Sequence, residues 1–139
     1  MSTEQQQAVR AGTPIDDYDA IVAVVQLYID GSAQGDAAKL REAFHPDAQM
    51  YGAVGDDRYD EPITEYIKLM EASPGGETLR GRITSIVQAG DAATATVAED
   101  GFWGTLSFVS FLALARIEGR WRIVNKTFAH TGGELPPEE

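Results

Sequence analysis

Hydrophobic residues recur every three or four positions in the first half of the chain, which is the spacing of one face of an α-helix. This pattern predicts a first helix from about Asp16 to Asp30, with one of its first two aspartates as the cap and Gly31 as the stop. A second helix is predicted from about Asp36 to Phe44, and a third from about Thr64. A corner at His45–Ala48 ends the second helix, because proline disfavours a helix at the preceding residue.

The second half of the chain changes to strict alternation, which is typical of β-strands. After a short strand at Gln49–Gly52 and a loop at Ala53–Pro62, longer strands are predicted over Arg80–Gln88, Ala92–Glu99, Leu106–Ile117 and Arg120–Phe128. The short turns between them predict antiparallel hairpins. Helices segregated from an antiparallel sheet define the α+β class. Strands of this length favour a strongly curved sheet that closes around the three helices as a cone with an internal pocket.

The longest predicted strand is apolar on both faces. Phe108, Ser110 and Leu112 share one face, whereas Val109 and Phe111 share the other. One face is expected to line the cone and the other to contact a second copy, which predicts a homodimer through the sheet.

The last strand is predicted to place Trp121, Ile123, Asn125 and Thr127 on one face. Asn125 is an amide in an otherwise apolar hairpin and is expected to orient a ligand. Lys126 then falls on the opposite face, where a surface salt bridge is expected because lysine is rarely buried. The alternative is a buried amine with a lowered pKa that can react with carbonyls.

The length of 139 residues predicts one domain over residues 15–132, with a flexible leader at 1–14 and an acidic tail at 133–139. The net charge of −11 makes nucleic acid and anionic membranes poor partners. Without cysteine and with two histidines, the chain offers no thiolate site and no histidine-built metal site. No cofactor is expected, because no glycine-rich phosphate loop is present. A cytoplasmic protein is expected, since no targeting signal or membrane span is visible.

Three segments carry a family resemblance. These are DGSAQGD (Asp30–Asp36), AFHPDAQMYG (Ala43–Gly52) and LALARIEGRWRIVNKTF (Leu112–Phe128). In order and spacing they resemble the nuclear transport factor 2-like superfamily, nearest to the putative lumazine-binding branch and the polyketide-cyclase-like (SnoaL-like) group. The resemblance implies a cone-shaped fold, a hydrophobic pocket inside the cone and a homodimer. Superfamily members include isomerases, dehydratases, cyclases, epoxide hydrolases and non-catalytic scaffolds, so the resemblance does not select an activity.

Two positions depart from the pattern of relatives. Ketosteroid isomerases carry their general-base aspartate just after the first strand, where this chain has Gly52, and Asp56 and Asp57 come several residues too late. The resemblance therefore does not carry over the isomerase base. The branch is also expected to have an aspartate before the aromatic residue of the long strand, and Ser110 precedes Phe111 there.

His45 and Asp47 are the first candidates for acid–base catalysis. A histidine exchanges protons near neutral pH, and a carboxylate can orient it. The structural alternative is favoured: Pro46 fixes the corner and Asp47 bonds nearby backbone amides.

Glu99 and Asp100 end one predicted strand and precede Trp103. A carboxylate beside large aromatic side chains is suited to general acid–base catalysis. The alternative is a solvated turn whose aromatic residues pack at a subunit interface, and both interpretations stay open. The catalytic candidates are thus His45, Asp47 and Glu99.

Ligand-binding candidates are chosen from the strand and helix faces expected to line the pocket. Tyr18 and Tyr28 belong to the apolar stripe of the first helix and are assigned to the core. The expected ligand-binding residues are Tyr51, Tyr66, Trp103, Phe108, Ser110, Leu112, Ile123 and Asn125.

Two functions follow from this set. The first is a cofactor-independent acid–base enzyme of the isomerase, dehydratase, cyclase or hydrolase type, acting on a small hydrophobic or aromatic molecule. It requires at least two polar groups that converge on one cavity. The second is a non-catalytic binding or dimerisation module, with no positioned acid–base pair. Both share the prediction of a small-molecule-binding protein with a largely apolar pocket.

Overall fold

A computed structural model describes residues 13–135. Three helices pack against one six-stranded, curled sheet, which confirms the α+β class and the cone. The helices are α1 (Pro14–Gln34), α2 (Ala37–Ala43) and α3 (Ile63–Ala72). The strands are β1 (Phe44–Val54), β2 (Asp57–Pro62), β3 (Arg80–Ala89), β4 (Ala92–Phe102), β5 (Leu106–Ile117) and β6 (Arg120–Gly132). Most of the predicted leader and acidic tail lies outside the described residues.

Helix α1 is longer at both ends than the hydrophobic spacing predicts. It begins two residues early, because the Thr13 side chain accepts a hydrogen bond from the Asp16 amide at 3.2 Å and replaces the expected aspartate cap. It continues through Gly31, where a Cβ atom would lie 2.9 Å from the Leu40 side chain. Gly35 ends the helix with a φ of 67°, in the left-handed region. The predicted stop at Gly31 is wrong because that glycine serves helix packing.

The first two strands differ most from the predictions. The corner predicted at His45–Ala48 is already part of β1, and the loop predicted over Ala53–Pro62 contains all of β2. The two strands pair antiparallel across a tight turn in which Gly55 has a φ of 57°. Strand β2 lies at the edge of the sheet and carries many charged side chains, which blunt an exposed edge. Those charges hide the alternation that identifies a strand.

The strand order in the sheet is β2-β1-β6-β5-β4-β3. All neighbouring pairs are antiparallel except β1 and β6, which run parallel. Strand β5 has the predicted bounds, whereas β3, β4 and β6 each extend beyond their predicted ends. The parallel pair brings the first strand of the chain beside the last and places both along the same cavity.

A bulge in β6 decides which of its side chains face the helices. Ala113 of β5 pairs with Asn125, but Leu114 pairs with Ile123, so Val124 is an extra residue in β6. The alternation of inward and outward side chains therefore shifts by one position within this strand.

The shift overturns the predicted faces of β6. Lys126 takes the inward position and is 4% exposed, so the expected surface salt bridge is wrong. Asn125 is partly exposed and Thr127 is exposed, so neither shares the buried face of Trp121 and Ile123. The sequence offered no signal for the bulge, because Val124 is as suited to a regular strand as its neighbours are.

The core lies between the helices and the concave face of the sheet, and its fully buried side chains include Tyr28, Phe44 and Leu112. On the other face of β5, Phe111 is 52% exposed. A homodimer through this outer face stays a prediction, which sedimentation equilibrium can check. Within residues 13–135, no helix is both long and apolar enough to cross a membrane.

Candidate functional site

A cavity opens between helices α1 and α3 and the concave face of the sheet. It holds about 450 Å³ of empty space with its mouth included, of which about 40 Å³ admits the centre of a water molecule. A ligand larger than a few waters must therefore shift flexible side chains such as those of Met50 and Met70. The lining residues are Tyr28, Met50, Val54, Tyr59, Tyr66, Leu69, Met70, Glu99, Phe102, Trp103, Phe108, Lys126 and Phe128.

Glu99 supplies a buried carboxylate to this cavity. It is 2% exposed, because it occupies an inward position in the alternation of β4, in line with Ala95 and Val97. Its Oε2 atom accepts a hydrogen bond from the Tyr28 hydroxyl at 2.8 Å, and its Oε1 atom accepts one from Ser110 Oγ. Two donors thus compensate for the water that the carboxylate has lost.

The hydroxyl groups around the carboxylate come from α1, α3 and β5. The Tyr28 and Ser110 oxygens lie 3.3 Å apart, and those of Ser32 and Tyr66 lie 2.7 Å apart. Burial, reinforced by the Glu99 charge, raises the pKa values of Tyr28 and Tyr66 well above the usual value for a phenol. Both phenols therefore keep their protons at neutral pH and act as hydrogen-bond donors.

Lys126 brings an amine to the same cavity. Its Nζ atom lies 4.2 Å from the ring centroid of Phe128, 4.8 Å from that of Tyr66 and 5.8 Å from that of Tyr28. None of the ion pairs between residues 13 and 135 involves it. Burial lowers the pKa of Lys126 from 10.5 to about 8, although the Glu99 charge opposes the shift.

Aromatic side chains form one wall of the cavity. Phe102 stands edge-on to Trp103 with a centroid distance of 4.9 Å, and Phe108 stands edge-on to Phe102 at 5.5 Å and to Phe128 at 5.6 Å. Trp103 is fixed by its indole N–H, which donates to the Ser73 carbonyl at 2.9 Å. Such edge-to-face sets are rigid and present flat apolar surfaces to a ligand.

Comparison with known proteins identifies the family. A family model described as "Putative lumazine-binding" matches residues 16–129. The chain belongs to this family. Together with the solved structures described next, the match confirms the nuclear transport factor 2-like (NTF2-like) resemblance.

Solved structures of NTF2-like proteins share the fold. One from Shewanella baltica OS155 has a TM-score of 0.78 and 28% identity, covering 86% of this chain and 98% of that one. Another, from Methylobacillus flagellatus KT, has a TM-score of 0.80 and 29% identity, covering 87% and 97%. Both are described as proteins of unknown function. Among curated proteins, aldolase FrzH of a Cladobotryum species is 26% identical over 112 residues, covering 81% of this chain and 90% of FrzH.

Several predicted residues meet in the cavity of this family member. Tyr66, Glu99, Trp103 and Phe108 line it, and Ser110 lies behind Glu99 as its hydrogen-bond donor. Their roles toward a ligand stay predictions.

His45 and Asp47 lie away from this cavity. His45 lines a separate surface groove beside α2 and α3, and Asp47 is exposed. The Asp47 amide donates to His45 Nδ1 at 3.1 Å, a local contact within β1. Neither residue lines the cavity that holds Glu99, because β1 points them away from the concave face. A catalytic role for His45 and Asp47 in that cavity is therefore not proposed.

Four expected ligand-binding residues also do not line the cavity. Tyr51 is 46% exposed, because the alternation of β1 turns Met50 inward instead. Asn125 faces outward because of the bulge in β6. Leu112 and Ile123 do face inward, but both are completely buried in the core.

Two polar residues of the site escaped sequence reasoning. Tyr28 was assigned to the core, and it is indeed fully buried, but its hydroxyl reaches Glu99. For Lys126 the sequence favours the surface, and the buried position is the alternative that the structure shows. The one available signal was Glu99 itself, since a carboxylate that enters a core needs donors and a positive neighbour from other elements.

Gly52, at an inward position of β1, has no space for a side chain. A Cβ atom at this position would lie 2.5 Å from the Phe128 ring. The Phe128 ring on β6 therefore occupies the space that an inward side chain at position 52 of β1 would need.

Replacing Gly52 with alanine is expected to lower the free energy of unfolding by about 1–3 kcal/mol, because the added methyl group forces the Phe128 ring to move. Urea unfolding measures the change. Gly132→Ala is the matched control, since its Cβ atom would meet Ser107 at an ordinary 3.6 Å. Equal effects of the two substitutions would show that the Phe128 contact is not responsible.

Proposed function

We propose that this protein binds a small, flat carbonyl compound in the cavity and transfers a proton at the carbon next to the carbonyl, without a cofactor. The observation that carries the proposal is the buried Glu99 carboxylate, held by Ser110 and Tyr28 at the wall of a largely apolar cavity. A desolvated carboxylate in a fixed orientation is suited to act as a general base.

The cavity wall supports a flat and mostly apolar ligand. The ring edges and faces of Trp103, Phe108 and Phe128 can contact a planar molecule on several sides. A fully apolar molecule would leave the Lys126 amine without a partner, so a ligand with at least one oxygen acceptor is favoured.

The polar groups of the cavity are proposed to have different roles in such a proton transfer. Glu99 is the proposed base. When a proton leaves the carbon, negative charge grows on the carbonyl oxygen, and Lys126 and Tyr66 are the donors that can stabilise it. The raised pKa of Tyr66 keeps its hydroxyl proton available for this purpose.

The relatives give limited support to this reaction class. FrzH is described as an aldolase, and an aldol reaction begins with removal of a proton next to a carbonyl. A structure described as a putative dehydratase from Streptomyces avermitilis shares the fold with a TM-score of 0.66, but at 16% identity it supports the fold alone. The proposal therefore rests on the Glu99 site rather than on a relative.

Ligand binding can be tested through Trp103, which lines the cavity, in a variant where Trp121 is replaced by phenylalanine. Phenylacetone should change the Trp103 fluorescence in a saturable way. Propylbenzene, which lacks the carbonyl, should bind about fivefold more weakly, because one hydrogen bond is worth about 1 kcal/mol.

The reciprocal variant provides the control. Trp103→Phe leaves Trp121, which is packed against Arg116 and lies outside the cavity lining. Its fluorescence should not respond to phenylacetone. An absence of saturable change at Trp103 contradicts the proposed ligand class, and equal affinity for the ketone and the hydrocarbon contradicts a role for the carbonyl.

A further inference from the structure

We propose that Lys126 is a nucleophile, whose amine forms an imine with the carbonyl carbon of the ligand. This inference rests on the proposed function and deepens it, because it replaces a hydrogen bond to the carbonyl by a reversible covalent bond.

The bulge in β6 places this amine inside the cone. Lys126 is 4% exposed and lines the same cavity as Glu99. No ion pair between residues 13 and 135 involves its Nζ atom, and aromatic rings surround it on several sides. A lysine held by a structural salt bridge has its ammonium fixed by a carboxylate at contact distance, and Lys126 lacks such a partner.

The surroundings also favour the unprotonated amine. Burial lowers the pKa of Lys126 to about 8, so a useful fraction of the amine is free near neutral pH. The titratable groups that share the cavity are Glu99 on β4, Tyr28 on α1, Tyr66 on α3 and Tyr59 on β2. Of these, Glu99 favours the protonated form, and the effect of burial exceeds it.

The step balances without an oxidant or a reductant. The lone pair of Nζ forms a bond to the carbonyl carbon, and the π pair of the carbonyl moves to oxygen. The two protons of the amine leave with that oxygen as water, and the nitrogen lone pair completes the carbon–nitrogen double bond. Glu99 and the Tyr28 hydroxyl lie on the same cavity wall and can relay these protons. Water returns the amine and the carbonyl compound by the reverse path.

An imine would make the proposed proton transfer easier. Once protonated, it draws electrons from the neighbouring carbon more strongly than a carbonyl does, so a carboxylate can remove a proton from that carbon. Glu99 is the carboxylate available for this step, as it lines the same cavity.

The chain provides its own internal comparison, because it contains three lysines. Lys68 is 73% exposed at its side chain and lies 3.5 Å from Glu65, and Lys39 donates to Gln34 on the surface. At neutral pH the unprotonated fraction of Lys126 exceeds that of an ordinary lysine by on the order of 100-fold.

Reductive trapping with benzaldehyde tests the inference. Benzaldehyde has no proton on the neighbouring carbon, so it isolates imine formation from the proton transfer assigned to Glu99. Sodium cyanoborohydride supplies the hydride that makes the new carbon–nitrogen bond permanent, and peptide mapping by mass spectrometry locates the added benzyl group. Labelling at Lys126 is expected to be at least about tenfold faster than at Lys39 or Lys68 at neutral pH.

Two variants and a pH series test whether the fast label depends on the Lys126 amine. Lys126→Met should lose the fast label, and Lys68→Met should keep it. The rate at Lys126 should rise as the pH passes through about 8, while the surface lysines stay slow until higher pH.

Fluorescence of Trp103 reports benzaldehyde binding independently. Saturable binding without a fast label at Lys126, or equal labelling of the three lysines, overturns the inference and leaves the proposed function standing. If neither benzaldehyde nor phenylacetone binds at all, the proposed function fails as well.

Discussion

Replacing Glu99 with glutamine is expected to slow proton exchange at the carbon next to the carbonyl of a bound ketone by about a thousandfold. The measurement uses phenylacetone in heavy water, where NMR follows the loss of its methylene protons. No knowledge of the natural substrate is needed, because the exchange reports the proposed elementary step directly.

The size of the effect follows from what the substitution removes. Glutamine has nearly the volume of glutamate but cannot accept a proton from carbon at neutral pH. Its amide can still accept one hydrogen bond, although not both of those that Tyr28 and Ser110 donate to Glu99. Ligand affinity is therefore expected to change by less than about tenfold. The hydrogen bond that the substitution removes joins residue 99 to a hydroxyl group behind the cavity wall and does not involve the ligand.

The neighbouring acid is the matched control for this experiment. Asp100 follows Glu99 directly, but its side chain is 65% exposed and lies 3.9 Å from Arg80. Asp100→Asn removes the same charge from the same strand and should leave the exchange rate unchanged. If Glu99→Gln and Asp100→Asn exchange the ketone protons at the same rate as the parent protein, Glu99 is not the base. A ligand that binds without any enzymatic exchange indicates a non-catalytic binding module.

The second large effect concerns stability. Lys126→Met is expected to raise the free energy of unfolding at pH 7 by about 3 kcal/mol, since a lowering of the pKa from 10.5 to about 8 measures the cost of burying the charged amine. The melting temperature should rise by roughly 10 °C for a domain of this length. Methionine is close to lysine in length and packs well among aromatic rings.

The difference in the free energy of unfolding between Lys126→Met and the parent protein should depend on pH. Between about pH 8 and 10.5, the unfolded chain holds a proton on Lys126 that the folded chain has lost. The stability of the parent protein should therefore rise with pH in this window relative to the variant. The cost is fully present below about pH 8, and the difference disappears above about pH 10.5. The raised pKa values of Tyr28 and Tyr66 affect both proteins alike and cancel in the difference.

Urea unfolding at pH 7 and at pH 10 measures both quantities, with Lys68→Met as the control. Lys68 is exposed, so its removal should change the free energy of unfolding little and without this pH dependence. If Lys126→Met destabilises the protein at pH 7, the attraction between Lys126 and Glu99 outweighs the cost of burial. If the difference in the free energy of unfolding between variant and parent is the same at pH 7 and pH 10, the amine is not buried in its charged form.

The sequence predicted the fold more accurately than the residues that line the cavity. Strand β5 has the predicted bounds, and Glu99 was recognised as a candidate because an acid ends an apolar strand beside Trp103. Periodicity determines which face of a regular element is buried, so these predictions needed no tertiary information.

The failures have three separate physical causes. Strand β2 escaped recognition because an edge strand is charged, and Lys126 escaped because one extra residue in β6 reverses the alternation. His45 and Asp47 are close in sequence, which suggested a shared site, but β1 turns them away from Glu99. Strand β2 and the bulge in β6 are decided by pairing within the β1–β2 and β5–β6 hairpins, and His45 and Asp47 by the alternation within β1.

The extra residue at Val124 links the inside of the cone to its outside. Strand β6 presents Lys126 to the cavity and Thr127 to the opposite surface, so deletion of one residue before them would exchange the two faces. Deletion of one residue in β6 would then alter both the chemistry of the cavity and the outer surface that could contact another chain. Neither the cavity residues nor the surface residues would need to be substituted. Cone-shaped relatives can therefore diverge by insertion and deletion within a strand, and an alignment that moves such a gap into the preceding turn would hide the event.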